Sequence, residues 1–272
     1  MAVITYCYPQ GLHKALTLSY DDGRRADERL VEICNRYGLK GTFHLNSGLL
    51  GSGDRITAEE LPGLYRGHEV SVHTRTHPTL ARCPLEQVVE EIVEDRKALE
   101  KLLRVPVRGM SYPNGSYTPQ IKALLPSLGM EYARPVQTTG GFGLPEDWME
   151  WRGTCHHNKG LLEHAETFTG LFKRQYLYLM YVWGHSYEFD NDNNWELMER
   201  FGEQVGGRGD IWYATNIEIV HYMKACERLI FSADRTIVHN PNAVSVWLDV
   251  SGSIVEVPGG ETLELSLDGQ LD

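Results

Sequence analysis

Apolar positions along this 272-residue chain change their period repeatedly, and the changes mark out its elements. Residues 15–20 (ALTLSY) and 41–45 (GTFHL) are short, largely apolar runs bounded by polar or turn residues, as buried strands are. EVSVH (69–73), VRGMSY (107–112), MEYAR (130–134), Tyr178–Trp183 and IWYAT (211–215) repeat this form. Between them the period lengthens to that of a helix. Asp27–Tyr37 is followed by Gly38, the residue type that closes a helix in a left-handed conformation. Thr57-Ala58-Glu59-Glu60 has the spacing of a capping box, and residues 85–103 carry an apolar stripe through Val88, Ile92, Leu99 and Leu103. Strands alternating with helices predict an α/β architecture with a parallel sheet. After about Cys226 the pattern changes. Val244, Val246, Leu248 and Val250 alternate strictly, as do Leu263, Leu265 and Leu267, with the turn sequences SGS and PGG between them. This predicts half-buried antiparallel strands. The chain thus divides into a main unit, residues 1–225, and a small β-rich C-terminal appendage, residues 226–272, expected to pack against it.

Candidate chemistry sits where these strands end. LTLSY runs into Asp21-Asp22-Gly23, which places two carboxylates at the C-terminal end of a strand, where α/β enzymes build their sites. EVSVH runs into HTRTHP, which presents His73 and His77; a helical turn there would bring both imidazoles to one face. Three nitrogen or oxygen donors make a mononuclear metal site with a coordination position left open, and the remaining carboxylate can act as a base. Taken alone, Asp-Asp-Gly also reads as a turn with a helix cap, and either histidine as a packed core residue; it is the combination that points to a metal. A second strand-end histidine, His185 in YVWGHSYEF, has the titration range suited to protonating a leaving group. Cys155 lies beside His156 and His157, which reads as pocket wall more readily than as a second metal site or a nucleophile.

SYDDG, HTRTH, SYPNG and VWGHS resemble, in this order over about residues 14–222, the motifs of the polysaccharide deacetylases, the fourth carbohydrate esterase family with its NodB-homology domain. The WGHSYEF variant, with TCHH at 154–157, resembles a branch associated with gellan-lyase-like proteins. The resemblance implies a distorted (β/α) barrel of six to eight strands. It implies Asp21 as general base, Asp22, His73 and His77 as metal ligands, and His185 as general acid. It also implies an oxyanion contact from a backbone N–H at Asn114. Relatives carry an arginine paired with the base where this chain has Ser111; Arg108 or Arg152 are the candidates to replace it. The acid that orients the catalytic histidine falls, in this resemblance, on Asp147 beside Trp148. Tyr112, Trp148, Trp183 and His156 complete the candidate substrate contacts.

Composition narrows the partners. A formal charge of −11 excludes broad electrostatic binding to nucleic acid or an anionic membrane. An acidic glycan would need a local basic patch, for which Arg24 and Arg25 are candidates. Five cysteines without CxxC spacing read as reduced thiols, and MAVITYCYPQG lacks the form of a signal peptide; both suit a cytoplasmic protein, with secretion left open if a segment precedes Met1. The expected activity is metal-dependent removal of acetyl groups from N- or O-acetylated sugars, with one divalent ion, zinc first and cobalt or nickel also suited. Cleavage of another amide, such as a formyl group or a small cyclic amide, is the enzymatic alternative. A non-catalytic carbohydrate-binding relative is the other, motivated by Ser111.

Overall fold

The computed structural model describes residues 3–266; Leu267 of the predicted C-terminal alternation lies outside the described residues. In chain order, β1 (Ile4–Cys7) and β2 (Lys14–Asp21) lead into α1 (Asp27–Arg36), β3 (Gly41–Leu45), the one-turn α2 (Leu61–Leu64) and β4 (Glu69–Val72). The long α3 (Leu85–Leu103) precedes β5 (Gly109–Ser111), α4 (Pro119–Leu124), β6 (Tyr132–Arg134), β7 (Cys155–His156) and α5 (Leu161–Gly170). β8 (Tyr178–Gly184), α6 (Tyr187–Asn191), α7 (Trp195–Val205), β9 (Ile211–Tyr213) and α8 (Asn216–Glu227) finish the α/β part. Five short strands follow: β10 (Ile230–Phe231), β11 (Ile237–His239), β12 (Val246–Val250), β13 (Ser253–Val257) and β14 (Thr262–Glu264).

The α/β strands form one parallel sheet in the order β6-β5-β4-β3-β2-β8-β7, with β9 also paired to β2. It is a curled, incompletely closed barrel: β6 and β7 share no ladder. β2 is buried along its whole length, and its two faces differ in kind. Leu16, Leu18 and Tyr20 pack into the apolar core beneath the helices. Thr17, Ser19 and Asp21 point the other way, since side chains alternate along a strand. Register continues this polar face across the sheet, with Ser19 beside Thr42, Asp21 beside His44, His44 beside Ser71 and Ser111 beside Arg134.

The barrel interior is therefore a stack of largely hydrogen-bonded polar groups, with His44 Nδ1 left without a partner. At its lower end, Glu69 accepts hydrogen bonds from Thr42 Oγ1, Ser71 Oγ, Tyr132 Oη and the Ile217 N–H, and Thr17 Oγ1 donates to Asn216 Oδ1. Buried polar groups without partners would be costly, so this stack fixes which strands face one another. α8 is capped by a reciprocal box of Thr215 and Glu218, the arrangement expected for Thr57–Glu60. At the latter place Glu60 does reach back to the Thr57 N–H at 2.9 Å, but the helix starts only at Leu61.

The C-terminal strands form two small antiparallel sheets, β10-β11-β14 and β1-β12-β13. The N-terminal strand thus joins the appendage, pairing Ile4 with Val250 and Cys7 with Trp247. Val246, Leu248 and Val250 are buried against α8, whose Tyr222 hydroxyl donates to the Cys7 carbonyl at 2.7 Å. Val244 lies outside the strand and is exposed. Among the described residues all five cysteines are free, and no helix is long and apolar enough to cross a membrane.

Candidate active site

The site lies at the C-terminal ends of β2, β4, β5, β6 and β8. Asp21 ends β2 with its carboxylate in the barrel. Asp22 would point away if the strand continued, but its φ of +81° and that of Gly23 at +61° turn the chain, bringing the second carboxylate to the same mouth. Left-handed backbone at a non-glycine residue stores strain. Among the described residues nine are of this kind, and four of them, Asp22, Thr74, His77 and Asn114, belong to the candidate motifs.

His73 and His77 meet without a helix. Residues 73–79 are irregular, Thr74 and His77 take φ of +65° and +63°, and the two rings sit 4.8 Å apart. Two carboxylates of α3 hold this loop in place. Asp95 accepts from the His73 N–H at 3.1 Å and the Ser47 N–H at 2.6 Å; Glu91 accepts from the Thr76 N–H at 2.8 Å and its hydroxyl at 2.6 Å. Asp95 is fully buried, and that burial pushes its carboxyl up to about 7.

Asp22 Oδ1 lies 3.9 Å from His73 Nε2 and 3.7 Å from His77 Nε2, and one ligand atom from each of the three falls within 4.8 Å of the others. His73 Nδ1 is 3.0 Å from the Ser111 carbonyl, which can only accept, so Nδ1 carries the ring proton and Nε2 presents its lone pair to Asp22. This is the donor chemistry a divalent metal requires, and the three residues fit one.

Asp21 is engaged differently. Arg134 Nη2 donates to its Oδ2, and Ser111 Oγ donates to its Oδ1 at 3.0 Å. Burial alone would raise its pKa, but Arg134, His73 and His44 outweigh that and hold the carboxyl well below the ordinary range. Arg134 is 1% exposed, donates from Nε to Ser19 Oγ at 3.0 Å and lies 4.6 Å over the Trp183 ring. Ser19 Oγ also contacts His44 Nε2 at 2.9 Å, and burial lowers that histidine to about 3.

On the opposite side, His185 Nδ1 lies 3.2 Å from Glu188 Oε1, within ion-pair range though off the line of a hydrogen bond. Burial disfavours the imidazolium, but Glu188 and the charges of Asp21 and Asp22 win, and the pKa of His185 is raised. Glu188 Oε2 is in turn 3.1 Å from His156 Nε2 and 3.2 Å from His157 Nε2. These three residues also cluster as a ligand set would. His156 Nδ1, however, accepts the Asn158 N–H at 3.2 Å, so its Nε2 carries the proton and donates toward Glu188. Burial lowers His157 to about 3, so it packs as a neutral ring, and the Glu188 carboxylate is left to act on His185. His157 is sandwiched between Tyr20 and Phe189, and a Cβ on Gly184 would come within 2.0 Å of its ring, which explains the glycine before His185.

The structure thus brings together Asp21, Asp22, His73 and His77, with His185 and His156 on the facing wall and Trp183 as the floor beneath Arg134. It does not bring in Arg108, Arg152, Asp147, Trp148 or Tyr112. Arg108 pairs with Glu131 at 3.0 Å and Arg152 with Glu150 at 2.5 Å. Asp147 caps the short turn at 148–150 and pairs with Lys122 at 3.0 Å, while Trp148 packs edge-on against Trp151. Tyr112 is buried, stacked on Tyr117 and bonded to the Met149 carbonyl at 2.8 Å, so it offers no sugar platform. Asn114 is exposed at the head of a turn closed by Gly115 N–H to Tyr112 O and Ser116 N–H to Pro113 O, neither of which uses its own N–H. Arg134 and Asp95 are supporting residues outside the quoted motifs, and Ser111 and Glu188, within SYPNG and WGHSYEF, take supporting roles that the motifs alone did not indicate.

The family model for polysaccharide deacetylase matches residues 9–133, which hold the acidic pair, both loop histidines and the SYPNG turn. Chitin deacetylase 1 of Cryptococcus neoformans var. grubii is 27% identical over 115 residues, 42% of this chain and 24% of that protein. Over this segment the chain is similar to the polysaccharide deacetylase family. It spans about a quarter of the length of that curated relative. The fold agrees with solved structures. The Xyl-CE4 domain of a multidomain xylanase from the hindgut metagenome of Trinervitermes trinervoides superposes with a TM-score of 0.55 at 16% identity, over 78% of this chain and 92% of that one. A family 4 carbohydrate esterase from Streptomyces lividans, in complex with acetate, gives 0.52 at 15% identity, over 75% and 93%.

The buried Asp21–Arg134 pair makes a direct prediction. Arg134→Met strands a buried carboxylate and should cost about 3–5 kcal/mol at pH 7. In the native protein the depressed pKa of Asp21 gives stability that is present above the unfolded carboxylate pKa and is lost as pH falls. In the variant, desolvation raises Asp21 instead, so protonation relieves it. Urea unfolding should therefore show the deficit narrowing from pH 7 to pH 3; a pH-independent deficit would mean that lost packing dominates.

Proposed function

We propose that this protein is a metal-dependent deacetylase that hydrolyses acetyl groups on N- or O-acetylated sugars or polysaccharide fragments. The reading is carried by the different employment of two adjacent carboxylates. Asp21 is bound by Arg134 and Ser111, while Asp22 faces two imidazole nitrogens. Asp22, His73 and His77 would hold the ion; one carboxylate and two imidazoles suit zinc, and cobalt or nickel as well. Such an ion polarises an acyl carbonyl and acidifies water.

Asp21 stays ionised at any working pH and so stands ready to accept a proton. A carboxylate held this low is a weak base, and it suits a partner that has itself been made acidic. The Asn114 N–H, outside its turn's own hydrogen bonds, is available to an oxyanion. His185, whose imidazolium Glu188 favours, would pass its proton to the departing amine or alcohol. Arg134 supplies the cation whose absence at Ser111 motivated the non-catalytic alternative.

Incubation with acetylated chito-oligosaccharides and acetylated xylan should release acetate. Release should stop with chelator and resume with added zinc. Undiminished release from protein shown by elemental analysis to be metal-free would contradict the proposal. Glu188→Gln should move the alkaline limb of the kcat/KM profile to lower pH. The sign follows from the raised pKa of His185: its proton is retained to higher pH while Glu188 is charged, and is lost earlier without it. An unmoved limb with reduced activity would leave Glu188 a structural role only.

A further inference from the structure

Arg24 and Arg55 face each other across an isolated antiparallel bridge, framed by Ile56 N–H to Gly23 O at 3.0 Å and Arg25 N–H to Asp54 O at 3.1 Å. Directly opposed residues on such a bridge share a face, and like charges there repel. Both arginines are half-buried, and the Nε of each is shielded from solvent without an acceptor. Among the described residues neither makes an ion pair or a side-chain hydrogen bond. Their neighbour Arg25 is the contrast, forked onto Glu60 at 2.8 and 3.0 Å and paired with Glu28. In a chain with 37 acidic against 26 basic residues, two facing arginines left without a carboxylate are an arrangement that an outside anion would complete.

Their place says what that anion belongs to. Arg24 lies two residues beyond Asp22, and its guanidinium sits 5.4 Å over the Tyr187 ring, which is itself 5.3 Å from the His185 ring. Arg55 also lies close enough to Asp22 to feel its charge. The pair therefore borders the cleft between the proposed metal ligands and the proposed acid. A molecule with its acetyl group in that cleft reaches the arginines with the part next along. We infer that Arg24 and Arg55 form a subsite for a carboxylate on the glycan, which makes the substrate class an acetylated acidic oligosaccharide. Two planar guanidinium forks suit the two oxygens of a uronate. The placement of the acetyl group rests on the deacetylase reading; the anion site itself does not.

The test uses an acetylated uronate oligosaccharide, the same material with its carboxyls reduced to alcohols, and a sulfated neutral counterpart. Acetate release gives kcat/KM for each, and calorimetry on the de-acetylated uronate oligomer gives binding without turnover. The native protein should favour the uronate over the reduced glycan by roughly 10–100-fold, the scale of a charge-assisted contact, and salt should weaken the preference. Arg24→Gln with Arg55→Gln should bring the ratio close to one. The double lysine variant should restore only part of it, because a point charge does not replace a fork. Removing facing like charges should not lower Tm, which serves as the folding control; single Arg55→Gln gives the same readout if the double variant does not fold. Equal native rates on uronate and reduced glycans, or a preference that survives the glutamine variant, overturns the subsite. Tighter binding of the sulfated counterpart overturns the carboxylate assignment. If no glycan is deacetylated yet the uronate binds and loses affinity in the glutamine variant, the deacetylase reading fails and the anion site stands.

Discussion

A single buried ion pair, Arg134 with Asp21, organises both the barrel and its mouth. β2 and β6 are four places apart in the sheet order, so Arg134 can reach Asp21 only across the interior of a curled sheet. Each charge would be expensive to bury alone, and each is fully engaged. Arg134 donates to Ser19, to the Pro135 carbonyl and to Asp21; Asp21 accepts from Arg134 and Ser111; the Ser111 residue holds His73 Nδ1. The chain of contacts that stabilises the carboxylate thus also sets which nitrogen of His73 faces Asp22.

The same economy appears in the His73–His77 loop. Its left-handed residues would not persist in a free segment, and α3 supplies Asp95 and Glu91 to bind its backbone N–H groups. Placing a carboxyl at a core position of a helix is unfavourable, as the rise of Asp95 to about 7 reflects. It is offset by a fixed loop that needs no rearrangement to present two imidazoles, which is what preorganisation of a site means physically.

Much of this was legible in the chain. Period and turn chemistry located every strand of the main sheet except β7, together with α1 and α3, and the strand-end position of the acidic pair and the histidines. What escaped had physical reasons. β1 and β7 are too short to show a period, and β1 pairs with a strand more than two hundred residues away. The link between His73 and His77 came from left-handed residues, which neither propensity nor spacing reveals. Arg134 carried a signal, however: an arginine ending an apolar strand next to Pro135, in line with the other strand-end groups. Asp95 carried another, a carboxylate in the stripe of Val88, Ile92 and Leu99. Glu188 stands three residues beyond His185, the spacing at which side chains share a helical face, whereas the family pattern puts the orienting acid at Asp147.

In the proposed mechanism Asp21 moves a proton while Asp22 holds the ion, although they are adjacent and both near His73. Metal content and acetate release measured side by side on Asp21→Asn and Asp22→Ala separate the two roles. The account predicts that Asp21→Asn keeps about one equivalent of metal and loses roughly 10²–10⁴-fold in turnover, the usual worth of a positioned proton acceptor. Asp22→Ala should lose the metal and regain part of its activity when metal is added. Metal rescue of the Asp21 variant, with none for the Asp22 variant, would contradict it.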